Sequence, residues 1–284
     1  MSKKTKIWLL TAACLVLLGG ILFVGGMGML GWDFTKLEST KYETNSYAPE
    51  TAIMDIRVTT KTADVILRPS DREEISVVCY EQNRAKHEVS VKDGVLEIRL
   101  VDERKWYDHI GIHFGTPKIT LSIPQGQYGA LMIQANTGKI TVPKEFGFET
   151  VDISLSTGDV TCEASAKGHM KIKTTTGNIS LQENAAATLE LTASTGDLHL
   201  KHVTATGAMS VTTNTGRVKL DGCDAGELKI KTNTGDVSGS LRTPKIFFTE
   251  TDTGDVNVPK STTGGSCEIT TDTGNIHITL EENA

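Results

Sequence analysis

The chain opens with one long apolar segment. Three lysines within the first six residues are followed by twenty-six residues without a charged side chain, from Ile7 to Trp32. As an α-helix this run is about 39 Å long, more than the roughly 30 Å hydrocarbon core of a bilayer requires. Because the lysines come first, the positive-inside rule places the N-terminus in the cytoplasm and the rest of the chain outside. We predict that residues 1–32 are a transmembrane signal anchor.

The alternative for this segment is a cleaved signal peptide. The apolar region of a signal peptide is usually shorter, about 7–15 residues, and ends at a small-x-small cleavage site. No good site of that kind precedes Asp33. A retained single-pass anchor in the cell membrane, with an extracellular C-terminal domain, is therefore the favoured interpretation, and cleavage stays open.

Beyond this segment the dominant pattern is a Thr-Gly dipeptide that recurs every 19 or 20 residues. Apolar and polar residues alternate on both sides of each copy, which is typical of β-strands. The parity of the apolar positions changes across the dipeptide, so each copy absorbs one extra residue at a bend, where glycine supplies a positive φ. The predicted bend glycines are Gly138, Gly158, Gly177, Gly196, Gly216, Gly235, Gly254 and Gly274.

Each period therefore predicts a strand, a glycine bend, a second strand and a turn. One such unit cannot bury its apolar face alone, but stacked copies build a continuous core. The fold class we predict is all-β: a β-solenoid, similar to a parallel β-helix, with about 19–20 residues per rung. A second threonine column, three residues before the glycine, is expected to form hydrogen bonds along the stack: Thr174, Thr213, Thr232, Thr251 and Thr271.

The pattern divides the rest of the chain into three parts. Residues 33–52 are polar and read as a linker. Residues 53–130 form an N-terminal β region, with a degenerate first rung around Ala63 and an insertion that we expect to cap the stack. Residues 131–280 hold the regular solenoid repeats. The strands predicted in the insertion are 74–80, 87–92, 95–100 and 118–123.

Composition narrows the function classes. The net charge of −6 and the absence of a basic stripe interleaved with aromatic residues argue against nucleic-acid binding. Four cysteines follow the apolar segment. Cys162 and Cys267 occupy inward columns and read as core residues, whereas a disulfide between Cys79 and Cys223 is disfavoured but stays open.

Two copies of the repeat contain Asp-Thr-Gly, the triplet of aspartic proteases. They begin at Asp252 and Asp272, only twenty residues apart. Other copies carry Asn, Ser or Thr at the same position, so this position selects short polar residues for bend geometry. We expect no catalysis there. Calcium binding by Asp252, Asp255 and Asp272 is the weaker alternative, because calcium requires six to eight oxygen ligands. No metal or cofactor is predicted.

An aromatic segment, residues 104–115, stands out in a chain with few aromatic residues. The simplest interpretation is a loop that plugs the solenoid, and the alternative is a patch that binds a partner. As a metal site the two histidines lack a third well-spaced ligand. The residues of this candidate patch are Trp106, Tyr107, His109, His113 and Phe114.

The repeated S/N/D-T-G-D/N-V unit, behind a membrane segment and the insertion KWYDHIGIHFG, resembles a bacterial β-strand-repeat family, domain of unknown function 4097 (DUF4097). Members of that family are described as adhesins and include LiaG-like envelope proteins. The resemblance covers residues 50–280. It implies a solenoid-like fold at a bacterial cell surface and implies no catalytic residues.

These observations predict a membrane-anchored extracytoplasmic β-repeat protein with a structural or binding role and no catalysis. The expected partners are the membrane, through residues 7–32, and a cell-surface protein or envelope polymer. One alternative is an enzyme that acts on polysaccharides, which requires a cluster of acids on one face. The other is an accessory protein of the envelope stress response.

Overall fold

The structure is a computed structural model that describes residues 2–34, 41–106 and 115–281. The chain forms two compact units. One contains residues 1–42 and 104–115, and the other contains residues 43–103 and 116–284.

The first unit contains the N-terminal helix. Helix α1 (Lys3–Met29) begins at Ser2, whose hydroxyl accepts a hydrogen bond of 3.3 Å from the backbone N–H of Thr5. Its most apolar window of 18 residues has a mean hydropathy of 2.6, and none of that window is buried. Helix α1 is long and apolar enough to cross a membrane.

The second unit consists of β-strands. The strands up to residue 124 are β1 Tyr42–Tyr47, β2 Asp55–Thr59, β3 Asp64–Ser70, β4 Ser76–Gln82, β5 Ala85–Lys92, β6 Val95–Asp102 and β7 Lys118–Pro124. Strand β1 lies within the segment that the sequence suggested as a linker, and it pairs with β4.

The regular repeats supply the remaining strands. They are β8 Gly126–Thr137, β9 Ile140–Val142, β10 Phe146–Thr157, β11 Val160–Cys162, β12 Ser165–Ala166, β13 His169–Thr176, β14 Ile179–Gln182, β15 Ala185–Ala186, β16 Thr188–Thr195, β17 Leu198–Lys201, β18 Thr204–Thr215, β19 Val218–Thr234, β20 Val237–Leu241, β21 Lys245–Thr253, β22 Val256–Asn257, β23 Gly265–Thr273 and β24 Ile276–Leu280.

Equivalent residues of successive repeats stack in parallel register, and their apolar side chains form continuous columns. One column lies five residues before the bend glycines, and its members are at most 1% exposed in every repeat except the seventh, which has Thr249 at this position. These residues are Ile133, Ile153, Ile172, Leu191, Val211, Ile230 and Ile269. The predicted β-solenoid is therefore confirmed, since the alternating pattern buries one face of every rung.

The N-terminal end of the solenoid is covered. Strand β2 pairs in parallel with both β6 and β8, so the degenerate first rung lies between two other rungs. Beyond it, β5 pairs antiparallel with β6, and β4 pairs antiparallel with β7. These antiparallel strands satisfy the edge that the outermost rung would otherwise expose.

The C-terminal end differs, because the order of the rungs in space is not their order in the chain. Strand β23 pairs with β19 on one side and with β21 on the other. Strand β24 likewise lies between β20 and β22. The eighth repeat is thus inserted between the sixth and the seventh. The seventh repeat, β21 and β22, forms the last rung of the stack, which we call the terminal rung.

Candidate binding surface

The Thr-Gly bends form the edge of the solenoid, and glycine is required there by close packing. Gly254 and Gly274 have φ angles of 150° and 153°, a region that residues with a side chain rarely adopt. A Cβ added at Gly274 would also collide with the carbonyl oxygen of Gly235 in the preceding rung.

The second threonine column donates hydrogen bonds to the carbonyl oxygens of the bend glycines. The Thr232 hydroxyl donates a hydrogen bond of 3.2 Å to the carbonyl oxygen of Gly216. The same contact recurs from Thr174 to Gly158, from Thr213 to Gly196, from Thr271 to Gly235 and from Thr251 to Gly274. Apart from Thr251, these side chains are at most 1% exposed. The hydrogen bonds along the stack that the sequence suggested are present.

Acidic or amide residues follow six of the eight bend glycines, and the side chains of five of them form a second ladder. The backbone N–H of Asn275 donates to Asp236 Oδ1 at 2.8 Å, and the N–H of Asp255 donates to Asn275 Oδ1 at 2.9 Å. Asp159, Asn178 and Asp197 act in the same way further along the stack. A short side chain that accepts a hydrogen bond from the next rung explains why Asp and Asn recur here.

The two Asp-Thr-Gly triplets lie on neighbouring rungs that run in the same direction. Thr253 pairs with Thr273 in parallel register. Both Asp252 and Asp272 are exposed at one edge of the solenoid. An aspartic protease needs two such triplets that face each other around one water. Parallel stacking instead places the two carboxylates side by side, one rung apart.

The terminal rung leaves the core of the solenoid open. In the neighbouring rung, Cys267, Ile269, Ile276 and Ile278 occupy the four inward positions and are at most 2% exposed. In the terminal rung the corresponding residues are Phe247, Thr249, Val256 and Val258. Val256 is 45% exposed, and the other three are partly exposed. The described residues place no strand on the outer side of β21 or β22, so their outer backbone groups are also uncovered.

The outward face of β21 is apolar as well. Phe248 is 60% exposed and Ile246 is 37% exposed. On the rungs below, Lys229 and Glu268 occupy the position of Phe248 and form an ion pair of 2.9 Å. Phe248 thus takes a place that charged residues fill elsewhere. It borders a groove of about 410 Å³ together with Met209 and Leu228.

A buried ion pair fixes the start of the terminal rung. Lys245 is 4% exposed, and its Nζ contacts Asp224 Oδ1 at 2.7 Å and the carbonyl oxygen of Ala225 at 2.6 Å. Burial raises the pKa of Asp224, but hydrogen bonds from Lys245 and Thr243 outweigh this effect and hold the pKa below its ordinary value. The side chain of Lys245 thereby ties β21 to residues of the sixth repeat.

The covered end contains a buried polar cluster of Cys79, Glu81 and His87, all at most 2% exposed. Glu81 Oε2 accepts hydrogen bonds of 2.7 Å from both the backbone N–H and Nδ1 of His87, and Oε1 accepts one from Asn45 Nδ2. His87 Nε2 lies 2.9 Å from the Thr60 hydroxyl. The cluster joins β1, β4 and β5 to the first rung.

This residue set includes ligands that zinc uses, but its geometry is that of a hydrogen-bonded network. Two atoms that both bind a tetrahedral zinc ion at about 2.0–2.1 Å are separated by about 3.3 Å. The 2.7 Å between Glu81 Oε2 and His87 Nδ1 is shorter than that separation. Cys79 lies beside this network as a thiol, because burial, and next the charge of Glu81, raise its pKa to about 12. We therefore interpret the cluster as a structural clamp.

The remaining cysteines of the solenoid are also free and buried. Burial raises the pKa of Cys162 and of Cys267 to about 12, and that of Cys223 to about 11. All are protonated thiols packed among apolar residues, as predicted for Cys162 and Cys267.

The candidate aromatic patch is described only in part. Trp106 is 76% exposed. Tyr107, His109, His113 and Phe114 lie outside the described residues. The patch stays a prediction.

Sequence reasoning missed the terminal rung as a surface, although two signals were present. The seventh repeat has Thr249 where the other repeats have Ile, Leu or Val, and it has Phe248 at an outward position. A polar residue in the core column and an apolar residue outside it together indicate a rung that is packed on one side only.

Comparison with known proteins identifies the family. The sequence matches the model of the family described as Toastrack DUF4097 in two overlapping segments, residues 53–208 and 164–284. No curated protein matches the sequence.

Among solved structures, one described as a "putative adhesin" from Bacteroides fragilis is 15% identical, with 84% of this chain and 97% of that chain covered and a TM-score of 0.52. A "putative adhesin" from Parabacteroides merdae is 11% identical, with 85% and 98% covered and a TM-score of 0.45. A "putative lipid binding protein" from Parabacteroides distasonis is 14% identical, with 84% and 97% covered and a TM-score of 0.40. At these identities the first structure supports the fold alone. Because the family model matches most of the sequence after the apolar segment, the chain belongs to the Toastrack DUF4097 family.

Proposed function

We propose that this chain is a single-pass membrane protein that carries its solenoid outside the cytoplasm and binds a protein partner there through the terminal rung. The observation that carries the proposal is the open core of that rung, where no inward position is fully buried. The other end of the solenoid is closed by antiparallel strands.

The terminal rung suits a partner that supplies both a strand and apolar side chains. An exposed strand edge binds by β-augmentation, in which backbone hydrogen bonds give affinity and side-chain pockets give specificity. Here Val256 and Phe248 offer apolar surface beside the strand edge. If the terminal rung lacked these apolar side chains, it would expose no apolar patch and would be soluble without a partner.

The membrane location rests on α1 and on the charges beside it. The lysines before Ile7 favour a cytoplasmic N-terminus. A binding role agrees with the description of the Bacteroides fragilis relative as a putative adhesin. Catalysis is not part of the proposal, because parallel stacking places Asp252 and Asp272 side by side on neighbouring rungs and not facing each other.

The proposal is tested with the full chain in the membrane of intact bacterial cells. A photo-crosslinking amino acid replaces Phe248 in one variant and Asp152 in another, since Asp152 lies in the same outward column on an inner rung and outside the groove beside Phe248. We expect a protein adduct from position 248 only, and we expect Val256→Arg to abolish it. Equal adducts from both positions, or none from 248, would contradict binding through the terminal rung.

The orientation needs a separate measurement in the same cells. Protease added to spheroplasts should digest residues 41–281, and protease added to inverted vesicles should leave them intact. The reverse result would remove the extracytoplasmic location from the proposal.

The aromatic segment is a second candidate contact, favoured by the exposure of Trp106. We expect Trp106→Ala and Tyr107→Ala, each in the full chain, to weaken adherence of the membrane-inserted protein to isolated envelope polymer. Unchanged adherence in both variants would exclude this segment as a binding surface.

A further inference from the structure

We propose that the partner of the terminal rung is the terminal rung of a second copy, so that two solenoids join through their open ends. This inference rests on the proposed function and names its partner. Three features of the solenoid support it: the two ends of the stack, the symmetry of a rung and the charges around its edge.

The covered N-terminal end opposes head-to-tail stacking of copies. A solenoid that is open at both ends can extend into a filament by placing the first rung of one copy on the last rung of the next. In this chain β4 and β5 pair with the outermost N-terminal strands. The clamp formed by Glu81 and His87 holds those strands in place. Among the described residues, the terminal rung is the end of the stack at which an inward column lies open, and a contact between copies through that end uses the same surface on both.

The terminal rung is complementary in shape to a second copy of itself. A two-fold axis perpendicular to the direction of stacking, and passing through both sheets, places β21 antiparallel to the β21 of the other copy. The same rotation places β22 against β22. Phe247 and Thr249 point to the same side of β21, and Val256 and Val258 point to the same side of β22. The rotation keeps both pairs facing the core. The two open cores then cover each other.

The charges at the two edges of the terminal rung favour the same antiparallel pairing. The bend edge of the terminal rung carries the exposed carboxylates of Asp252 and Asp255. The opposite edge carries the exposed ammonium group of Lys260, which follows β22. Antiparallel pairing places the bend edge of one copy over the opposite edge of the other. The carboxylates of the two copies are thus kept apart and brought towards Lys260, an arrangement that favours this pairing over a parallel one.

A strand donated by a different protein would satisfy the same backbone groups. Such a strand need not present apolar side chains to both sheets. A second copy covers both sheets, because it supplies its own β21 and β22. The pairing is also closed, since each copy has one open end, and it therefore predicts a dimer and no larger assembly.

The test uses the full chain in detergent micelles, which do not constrain the direction in which the two anchors leave. Mass measurement by light scattering over a dilution series gives the Kd of the dimer. We expect Phe248→Arg and Val256→Arg each to raise this Kd at least about tenfold. Asp152→Arg, in the same outward column but far from the end and outside the groove beside Phe248, should leave it unchanged.

A cross-linking measurement separates this contact from association of the helices. In a Cys14→Ser background, Phe248→Cys should give a disulfide-linked dimer on mild oxidation, because the two-fold axis crosses β21 (Lys245–Thr253) near its midpoint and so brings position 248 of the two copies close together. Asp152→Cys should not. This variant also keeps the test valid if an arginine at position 248 prevents folding.

The possible outcomes distinguish the two proposals. A monomeric wild type, or a dimer that persists in both arginine variants without a cross-link at position 248, overturns the dimer. If a photo-adduct from position 248 to another protein still forms in cells, binding through the terminal rung stands and the named partner is wrong. If neither forms, both proposals fail.

Discussion

The Thr251 hydroxyl donates a hydrogen bond of 3.0 Å to the carbonyl oxygen of Gly274, which lies twenty-three residues further along the chain. In the inner rungs the equivalent threonine donates to a glycine earlier in the chain, as Thr232 does to Gly216. The reversal shows that the seventh repeat is stacked on the eighth. The surface that we assign to binding exists because of this exchange of order.

The threonine column should contribute to stability wherever it is buried. Thr232→Val keeps the shape of the side chain but leaves the Gly216 carbonyl without its donor, at a cost of about 1–2 kcal/mol in the free energy of unfolding. Thr212→Val is the control, because Thr212 lies on the outward face of a neighbouring strand. Urea unfolding of both full-length variants measures the difference. Equal midpoints would show that the buried hydroxyl adds nothing.

The clamp at the covered end should be sensitive to loss of Glu81. Glu81→Ala leaves two buried donors of His87, its backbone N–H and Nδ1, without an acceptor, which should lower the free energy of unfolding by about 3 kcal/mol or more. Glu88→Ala is a matched control, since Glu88 pairs with Arg99 in an exposed ion pair. Such pairs contribute about 0.5 kcal/mol.

Hydrogen exchange locates the effect of that substitution. Amides in β4 and β5 should lose protection in Glu81→Ala and should be unchanged in Glu88→Ala. Loss of protection spread evenly over all rungs would argue against a local clamp.

The buried thiols should be unreactive in the folded protein. Burial raises the pKa of Cys79, Cys162 and Cys267 to about 12, so at pH 8 almost none of each is thiolate. Iodoacetamide labelling followed by mass spectrometry should modify none of them before unfolding and all of them after it. Rapid labelling of the folded chain, or a disulfide between Cys79 and Cys223, would contradict the packing described.

The ion pair between Lys245 and Asp224 should make the terminal rung sensitive to acid. The folded-state pKa of Asp224 lies below its ordinary value, so its contribution to stability is fully present above about pH 4. It is lost as the pH falls through the lower folded-state value. The midpoint of thermal unfolding, or the exchange of β21 amides, should therefore show this loss as the pH falls below about 4.

Removal of the lysine provides the comparison. Lys245→Met should lower the free energy of unfolding by about 2–3 kcal/mol at pH 7, after allowance for the exposed part of Asp224, and should flatten the acid dependence. Lys231→Met, at an exposed position, should change neither. An unaltered acid dependence in Lys245→Met would assign the effect to other carboxylates.

The repeat made much of the fold predictable from the sequence. The period of 19 or 20 residues, the inward columns and the bend glycines all follow from alternation and from the need for positive φ at one position. Ile56 and Val65, seven residues before and two residues after Ala63, occupy the offsets of the inward columns and are buried. Local rules suffice for these features because each rung repeats the same contacts.

The order of the rungs could not be predicted in this way. Thr249 and Phe248 indicate a rung that is packed on one side only, but the pattern alone does not show that the eighth repeat stacks on the sixth. The choice depends on contacts between distant residues, such as Lys245 with Asp224. The clamp was missed for the same reason, since Glu81 and His87 meet Asn45 and Thr60 only in the folded chain.

Hydrogen exchange of the full chain in detergent, measured at low and high protein concentration, tests the central claim most directly. We predict that amides of β23 are protected at both concentrations although they lie near the end of the chain. Amides of β21 should exchange fast in the dilute monomer and become protected at high concentration as the open rungs pair. Protection of β21 at every concentration, or faster exchange in β23 than in β21, would contradict the account.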